Sequence, residues 1–229
     1  MKPETVPVLF EDEDILVVHK RAGLATQSRA PGEPDLIRVL KINGTEGFLS
    51  PVNRLDQPVE GVVLLAKSEK AAAALSESLK RGDFKKTYRC LVVPRLLPPP
   101  AAGEVLELKD CLVREKGNFV RVAKEGEEGQ TAKLTLYFTG EIRLIETPEE
   151  ITEARCAAVN LITGRHHQIR VQLSHARYPI LGDRKYGIVP KGYREGLALA
   201  AVELGFPHPR TGEQKVFEIT PWFMPGVKI

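Results

Sequence analysis

The 229-residue chain is 42% hydrophobic and 28% charged, with a formal net charge of +3, which is the profile of an ordinary globular protein with a real core. So small a positive balance permits a nucleic-acid partner but excludes a protein that coats one by bulk charge, and any such contact must come from a local basic surface. Three widely spaced cysteines, Cys90, Cys111 and Cys156, suit neither a secreted disulfide framework nor a zinc knuckle.

The apolar residues 6–10 run straight into Glu11, Asp12, Glu13 and Asp14, which is not a secretory pattern. Apolar runs such as 62–66 are too short to span a bilayer, so a cytoplasmic location is expected. Residues 8–20 read as two short strands around the acidic turn, ended by Gly23. Residues 35–42 carry Leu36, Val39 and Leu40 at helical spacing and stop before Asn43-Gly44, predicting a short helix. A buried strand over 61–67 follows. Ser68 then N-caps an alanine- and leucine-rich helix that ends near Gly82. Residues 84–93 predict another strand, after which Pro94 and Pro98-Pro99-Pro100 form a stiff connector between sheet halves. Strands are expected near 105–113, 119–122, 132–138 and 157–161, joined by turns at 116–118 and 126–129. Gly164 precedes a helix-like stretch over 166–177, and a strand around 197–204 leads into a turn at 208–212. These elements predict an α+β fold, with a large mixed, mainly antiparallel sheet flanked by a few helices. One domain spanning 1–229 is expected, with no separate N-terminal RNA-binding module.

The chain has no phosphate-binding glycine loop, no Gly-x-Gly-x-x-Gly and no His-Glu-x-x-His, so no nucleotide cofactor and no metal is expected. Among the histidines, His166, His167 and His175 lack carboxylate or cysteine neighbours in sequence, which favours structural or RNA-contacting roles. Two stretches stand out. Asn53-Arg54-Leu55-Asp56-Gln57-Pro58 is a polar loop between apolar runs, stiffened by proline, that can present a carboxylate. Taken alone, Asp56 in such a loop is more commonly a turn acceptor or the partner of Arg54. The second stretch, from Thr163 to Arg170, places Ile169, Gln172, Leu173 and Ala176 on one helical face. His167, Arg170, Ser174 and Arg177 fall on another, which faces either a ligand or solvent.

Together these stretches resemble the RluA-like pseudouridine synthases. The resemblance is carried by NRLDQPVEGVVLLAK from Asn53, TGRHHQIRVQLSHARYPILGDRKYG from Thr163, the C-terminal FPHPRTGE and the opening FEDEDILVVHKRAGL, so it covers nearly the whole chain. It implies an enzyme that detaches uracil from a uridine in RNA, rotates it and rejoins it through carbon. The nucleophile falls at Asp56, a carboxylate that needs no cofactor. Arg170 is the matching cation that keeps it charged and oriented. Tyr88 matches the tyrosine that stacks on uracil and assists proton movement. The target base must be unpaired or extruded from a folded ribosomal or transfer RNA. Arg54 matches the position that fills the resulting gap, and Arg165 and His167 are further candidates for RNA contact. A monomer is expected.

Three departures from the family pattern bear on the substrate. Asn53 stands where histidine is common, Val59-Glu60 where Thr-Ser is common, and Ala200 where histidine is frequent. Glu60 is expected to add negative charge beside a loop that approaches phosphates. These departures motivate a competing reading, a non-catalytic RNA-binding or RNA-folding protein on the same scaffold. Asp56, Tyr88 and Arg170 argue against it. A carboxylate-dependent nucleoside hydrolase ranks lower, because nothing identifies an activated water.

Overall fold

The computed structural model describes residues 5–28, 32–95 and 100–224. In chain order its elements are β1 (Val8–Glu11), β2 (Ile15–Lys20), α1 (Leu36–Ile42), β3 (Ser50–Pro51), β4 (Glu60–Ala66), α2 (Glu69–Arg81) and β5 (Lys85–Val92). There follow β6 (Val105–Arg114), β7 (Val120–Val122), β8 (Gln130–Glu146), β9 (Ile151–Leu161), α3 (Gln168–His175), β10 (Leu199–Pro207) and β11 (Gln214–Glu218). They fall into two compact units, residues 1–86 with 200–229, and residues 87–199. Among the described residues, three α-helices and a mainly antiparallel set of strands with some parallel pairing agree with the expected α+β class.

In the first unit β4 is central. It pairs antiparallel with β2, from Ile15↔Ala66 to Lys20↔Gly61, and parallel with β10 at Ala200↔Glu60 and Ala201↔Gly61. All seven β4 residues are buried, which is why Val62 to Ala66 read as an unbroken apolar run rather than an alternating one. The parallel approach is close. A Cβ on Gly61 would lie 2.5 Å from the Cβ of Ala201 and 2.6 Å from its carbonyl oxygen, so only glycine fits there. α2 begins where expected, with the Ser68 side chain accepting from Ala71 N at 3.1 Å, and ends on Gly82 at φ 86. Its Ala71 and Leu75 pack among Val62, Leu64, Phe84 and Phe206.

In the second unit β5, β9, β8, β6 and β7 form an antiparallel run. β8 and β9 extend well past the expected 132–138 and 157–161. Thr139-Gly140-Glu141 looks like a turn in sequence, but the structure absorbs it as an irregularity between Phe138 and Ile142, with Gly140 at φ 84, and the strands resume beyond it. α3 covers one face, its Val171 packing with Leu112, Val120 and Ala132. The helix is shorter than the expected 166–177, because His167 at φ 52 and Arg177 at φ 71 leave helical geometry at either end. Of the expected proline connector, Pro98 and Pro99 lie outside the described residues.

Candidate active site

Asp56 belongs to the first unit and sits half-buried in the loop before β4. Its neighbours in sequence are tied down on both sides. The Thr26 hydroxyl donates to Leu55 O at 3.0 Å and accepts from Leu55 N at 3.1 Å, so one side chain satisfies both backbone groups of the buried Leu55. Val59 N donates to Asp56 O at 3.0 Å and closes a turn. On the other side Gln57 is bound to Gly23 twice, Gly23 N donating to Gln57 O at 2.8 Å and Gln57 Nε2 donating to Gly23 O at 3.0 Å. Lys20 is completely buried, and its ammonium donates to the carbonyls of Leu24, Arg21 and Gln57 at 2.7, 3.0 and 3.4 Å. A buried cation wrapped by carbonyls fixes the 21–24 loop, which in turn holds the loop of Asp56. Nothing in the local sequence marked Thr26 or Lys20 for this task.

The departures at 53 and 60 acquire a physical reading in the same unit. Asn53 Nδ2 donates to Val62 O at 3.0 Å and Asn53 Oδ1 accepts from Leu64 N at 2.8 Å, so its amide splices the loop onto the backbone of β4. Glu60 is 4% exposed and accepts from Trp222 N at 2.8 Å, with its other oxygen 3.6 Å from His19 Nε2. The expectation that Glu60 adds negative charge beside the RNA-facing loop is therefore corrected. Its position on β4 turns the carboxylate inward. Arg54 is exposed and forms no ion pair among the described residues, which removes its proposed turn salt bridge with Asp56.

Tyr88 and Arg170 belong to the second unit. Tyr88 is 9% exposed on β5 and lies opposite Val159, on the face that α3 covers. Arg170 does not sit on an open ligand-facing helix surface, as the periodicity suggested: residues 168–173 are buried all round. Its Nε and Nη2 donate to the two carboxylate oxygens of Asp183 at 2.8 and 2.7 Å, with the pair only 7% and 1% exposed. Asp183 Oδ1 also accepts from Lys185 N and Tyr186 N at 2.9 and 3.1 Å. Burial pushes the Asp183 carboxyl up, but Arg170 and the two N–H donors outweigh it and hold it below the usual carboxylate range.

Beside this pair, the Tyr186 ring lies 5.2 Å from the Arg170 guanidinium carbon, its hydroxyl accepts from Val120 N at 2.9 Å, and His167 Nδ1 is 2.7 Å from it. Gln168 is a second node, with Oε1 accepting from Thr163 Oγ1 and Arg165 N while Nε2 donates to Lys133 O and Gln172 Oε1. Asp183 and Tyr186 were absent from the sequence-derived site, although both lie in the LGDRKYG segment that carried part of the resemblance. Arg165 is exposed, its Nε donating to Thr131 O at 3.1 Å.

Asp12, Asp14 and His208 bring potential metal-ligand atoms within 4.8 Å of one another. Both ring nitrogens of His208 are engaged. Nδ1 accepts from Arg210 N and Thr211 N at 3.3 Å, which leaves Nε2–H to donate to Asp12 Oδ2 at 2.9 Å. Arg210 reaches Asp14 and Glu13, each at 2.8 Å. The group is a latch between the acidic turn and the β10–β11 turn rather than an open coordination sphere.

The class follows from fold and sequence together. By fold the chain matches human RNA pseudouridylate synthase domain containing 1, with a TM-score of 0.77 and 18% identity over 98% of this chain and 88% of that one. The sequence pattern described as RNA pseudouridylate synthase matches residues 14–175, and the chain belongs to that family. It is 33% identical over 215 residues to ribosomal large subunit pseudouridine synthase C of Escherichia coli (strain K12), covering 90% of this chain and 63% of that protein. It is 32% identical over a 246-residue alignment to an uncharacterized RNA pseudouridine synthase of Aquifex aeolicus (strain VF5), covering 96% and 71%. The chain thus spans roughly two thirds of the length of these relatives.

Proposed function

We propose that the protein isomerises uridines in folded RNA to pseudouridine, with Asp56 as nucleophile. Net, the C1′–N1 glycosidic bond breaks, a C1′–C5 bond forms, and the proton from C5 ends on N1. No other reactant is consumed. The observation that carries this reading is the fastening of the Asp56 loop, through Thr26 on Leu55 and Gly23 with Lys20 on Gln57. It holds a half-buried carboxylate in a fixed place, as a covalent nucleophile requires. Tyr88 is assigned to stack on the uracil and help move the proton, and Arg170, oriented by Asp183, to supply positive charge. Arg54, Arg165 and His167 are proposed to meet RNA. The two arginines are exposed, whereas His167 is half-buried against Tyr186.

The two units serve as parts of one catalytic domain, because the family match runs from 14 to 175 across their division. Ribosomal RNA is the first substrate to test, since the Escherichia coli relative is named for the large ribosomal subunit, and transfer RNA the second. Among the described residues no helix is long and apolar enough to cross a membrane, and we place the protein in the cytoplasm as a monomer. The competing non-catalytic reading loses its main support with Glu60 turned inward.

The test is Asp56→Asn, which keeps size and most hydrogen bonding. Pseudouridine formation is measured on total RNA from cells lacking the protein, with excess enzyme so that weak binding cannot pass for lost chemistry. Turnover is expected to vanish while RNA binding persists. Substantial conversion by the variant refutes the assignment.

A further inference from the structure

The face of the second unit opposite α3 is exposed along β6 and β8 at Val105, Glu107, Lys109, Lys133 and Tyr137, and its composition is not that of an idle surface. Strand register places Val105, Tyr137, Ala158 and Arg89 in one row across β6, β8, β9 and β5. The next row holds Glu107, Thr135 and Asn160, and the one after it sets Lys109 directly opposite Lys133. Tyr137 and Val105 are 44% and 53% exposed, and Lys109, Lys133 and Asn160 are exposed as well. Like charges directly opposite on neighbouring strands destabilise a sheet. Neither lysine has an ion-pair partner among the described residues, and the Asp110 carboxylate next in sequence is engaged on the α3 side by Gln172 at 2.7 Å. Arg165 adds a cation beside Thr131, two residues from Lys133 on β8.

The base under Lys133 is rigid. Its N–H donates to Thr163 Oγ1 at 2.8 Å, and its carbonyl accepts from Gln168 Nε2 at 3.0 Å. Both partners belong to the Thr163–Arg170 motif already described, so the lysine row is anchored to the same segment that carries Arg170. Across these rows the cations Lys109, Lys133 and Arg89 stand against one carboxylate among the described residues, Glu107. A protein partner would need a continuous apolar centre, whereas here the polar Thr135 and Asn160 separate the lysines from Tyr137.

We infer that this open sheet face binds the phosphodiester backbone of RNA flanking the modified site, with Lys109 and Lys133 as its principal phosphate contacts and Tyr137 as a stacking surface. The inference rests on the reading of RNA as the substrate and enlarges it, since it adds a contact surface outside the catalytic motifs. A local group of cations of this kind lets a chain of net charge +3 meet a polyanion. An unpaired lysine pair costs the sheet stability without a ligand and stops costing it when phosphates lie between the two ammonium groups.

The test measures the affinity of a fluorescein-labelled RNA hairpin for the full chain between about 50 and 200 mM KCl, where each lost phosphate contact lowers the log–log salt slope by roughly 0.7–0.9. K109Q/K133Q is expected to lower the slope by about 1.4–1.8 and to weaken binding near 0.1 M salt on the order of tenfold. E107K, which adds a cation to the same face, is expected to tighten binding and steepen the slope by about 0.7–0.9. This gain cannot arise from misfolding. Unchanged slopes in both variants overturn the inference, and so does a change in self-association by sedimentation in place of a change in RNA affinity. Pseudouridine formation by the unmodified protein is assayed in parallel. If slopes shift but no pseudouridine forms, the catalytic reading fails and the RNA surface stands, whereas normal turnover with unshifted slopes removes the surface alone.

Discussion

Replacing Asp183 by asparagine tests whether the buried pair with Arg170 organises the second unit. The carboxylate is 1% exposed, takes two hydrogen bonds from Arg170 and accepts from two backbone N–H groups. An asparagine oxygen at the Oδ1 position keeps the Lys185, Tyr186 and Nη2 contacts. The amide nitrogen then faces the Nε donor, and the guanidinium loses the Asp183 charge in a pair only 7% and 1% exposed. Removing one member of such a pair costs about 3–5 kcal/mol, a large fraction of the roughly 5–15 kcal/mol that holds a domain folded. Asparagine should fall near the lower end and alanine near the upper. Urea denaturation followed by circular dichroism reads the loss. Because the folded carboxyl is held below its ordinary value, the pair's contribution is complete above the unfolded value near pH 4 and fades as pH falls through the folded one. Asp183→Asn should therefore also flatten the acid limb of the stability curve. The double variant with Arg170→Met should cost less than the sum of the two single changes. A loss under about 1 kcal/mol for Asp183→Asn, or an unchanged acid limb, refutes this account.

That pair also marks where the sequence stops being legible. Local chemistry announced α2 in full, through Ser68 at one end and Gly82 at the other, and the apolar run of β4 could only be a buried strand. Asp56 is proposed on its motif rather than its surroundings, since nothing near it in sequence points to Thr26 or Lys20. Asp183 stayed hidden because a carboxylate in a loop reads as solvated, and only the three-dimensional return of the chain brings it to Arg170. The periodicity of α3 misled for a related reason. A helix buried around its first turns has no polar face to reveal, and Arg170 looks surface-bound until its partner is in place. The extent of β8 and β9 was missed because Thr139-Gly140-Glu141 has the composition of a turn, whereas an antiparallel pair can carry such a segment as an irregularity and continue.

Gly61→Ala should destabilise the first unit by about 1–3 kcal/mol, since the added methyl meets Ala201 Cβ at 2.5 Å and its carbonyl oxygen at 2.6 Å; a shift in urea midpoint reports it, and an unchanged midpoint contradicts the close strand approach. Alkylation by iodoacetamide at about pH 8, followed by mass spectrometry, should label Cys111 first, because burial pushes the Cys90 thiol up to about 12 and the Cys156 thiol up to about 11; early labelling of Cys90 contradicts this core. Thr26→Val bears most directly on function. The change is nearly isosteric and removes both hydrogen bonds to Leu55, leaving a buried N–H and a buried carbonyl unsatisfied at a cost of about 1–3 kcal/mol each at most. If the hydroxyl served stability alone, the folded fraction would fall while each folded molecule kept its kcat. If it holds Asp56 in place, kcat at saturating RNA should drop on the order of tenfold to a hundredfold, because a nucleophile displaced by an ångström loses most of its advantage. Thr26→Ser, which restores the hydroxyl without the methyl, should recover it. Equal kcat per folded molecule in the valine and serine variants would detach the clamp on Leu55 from catalysis.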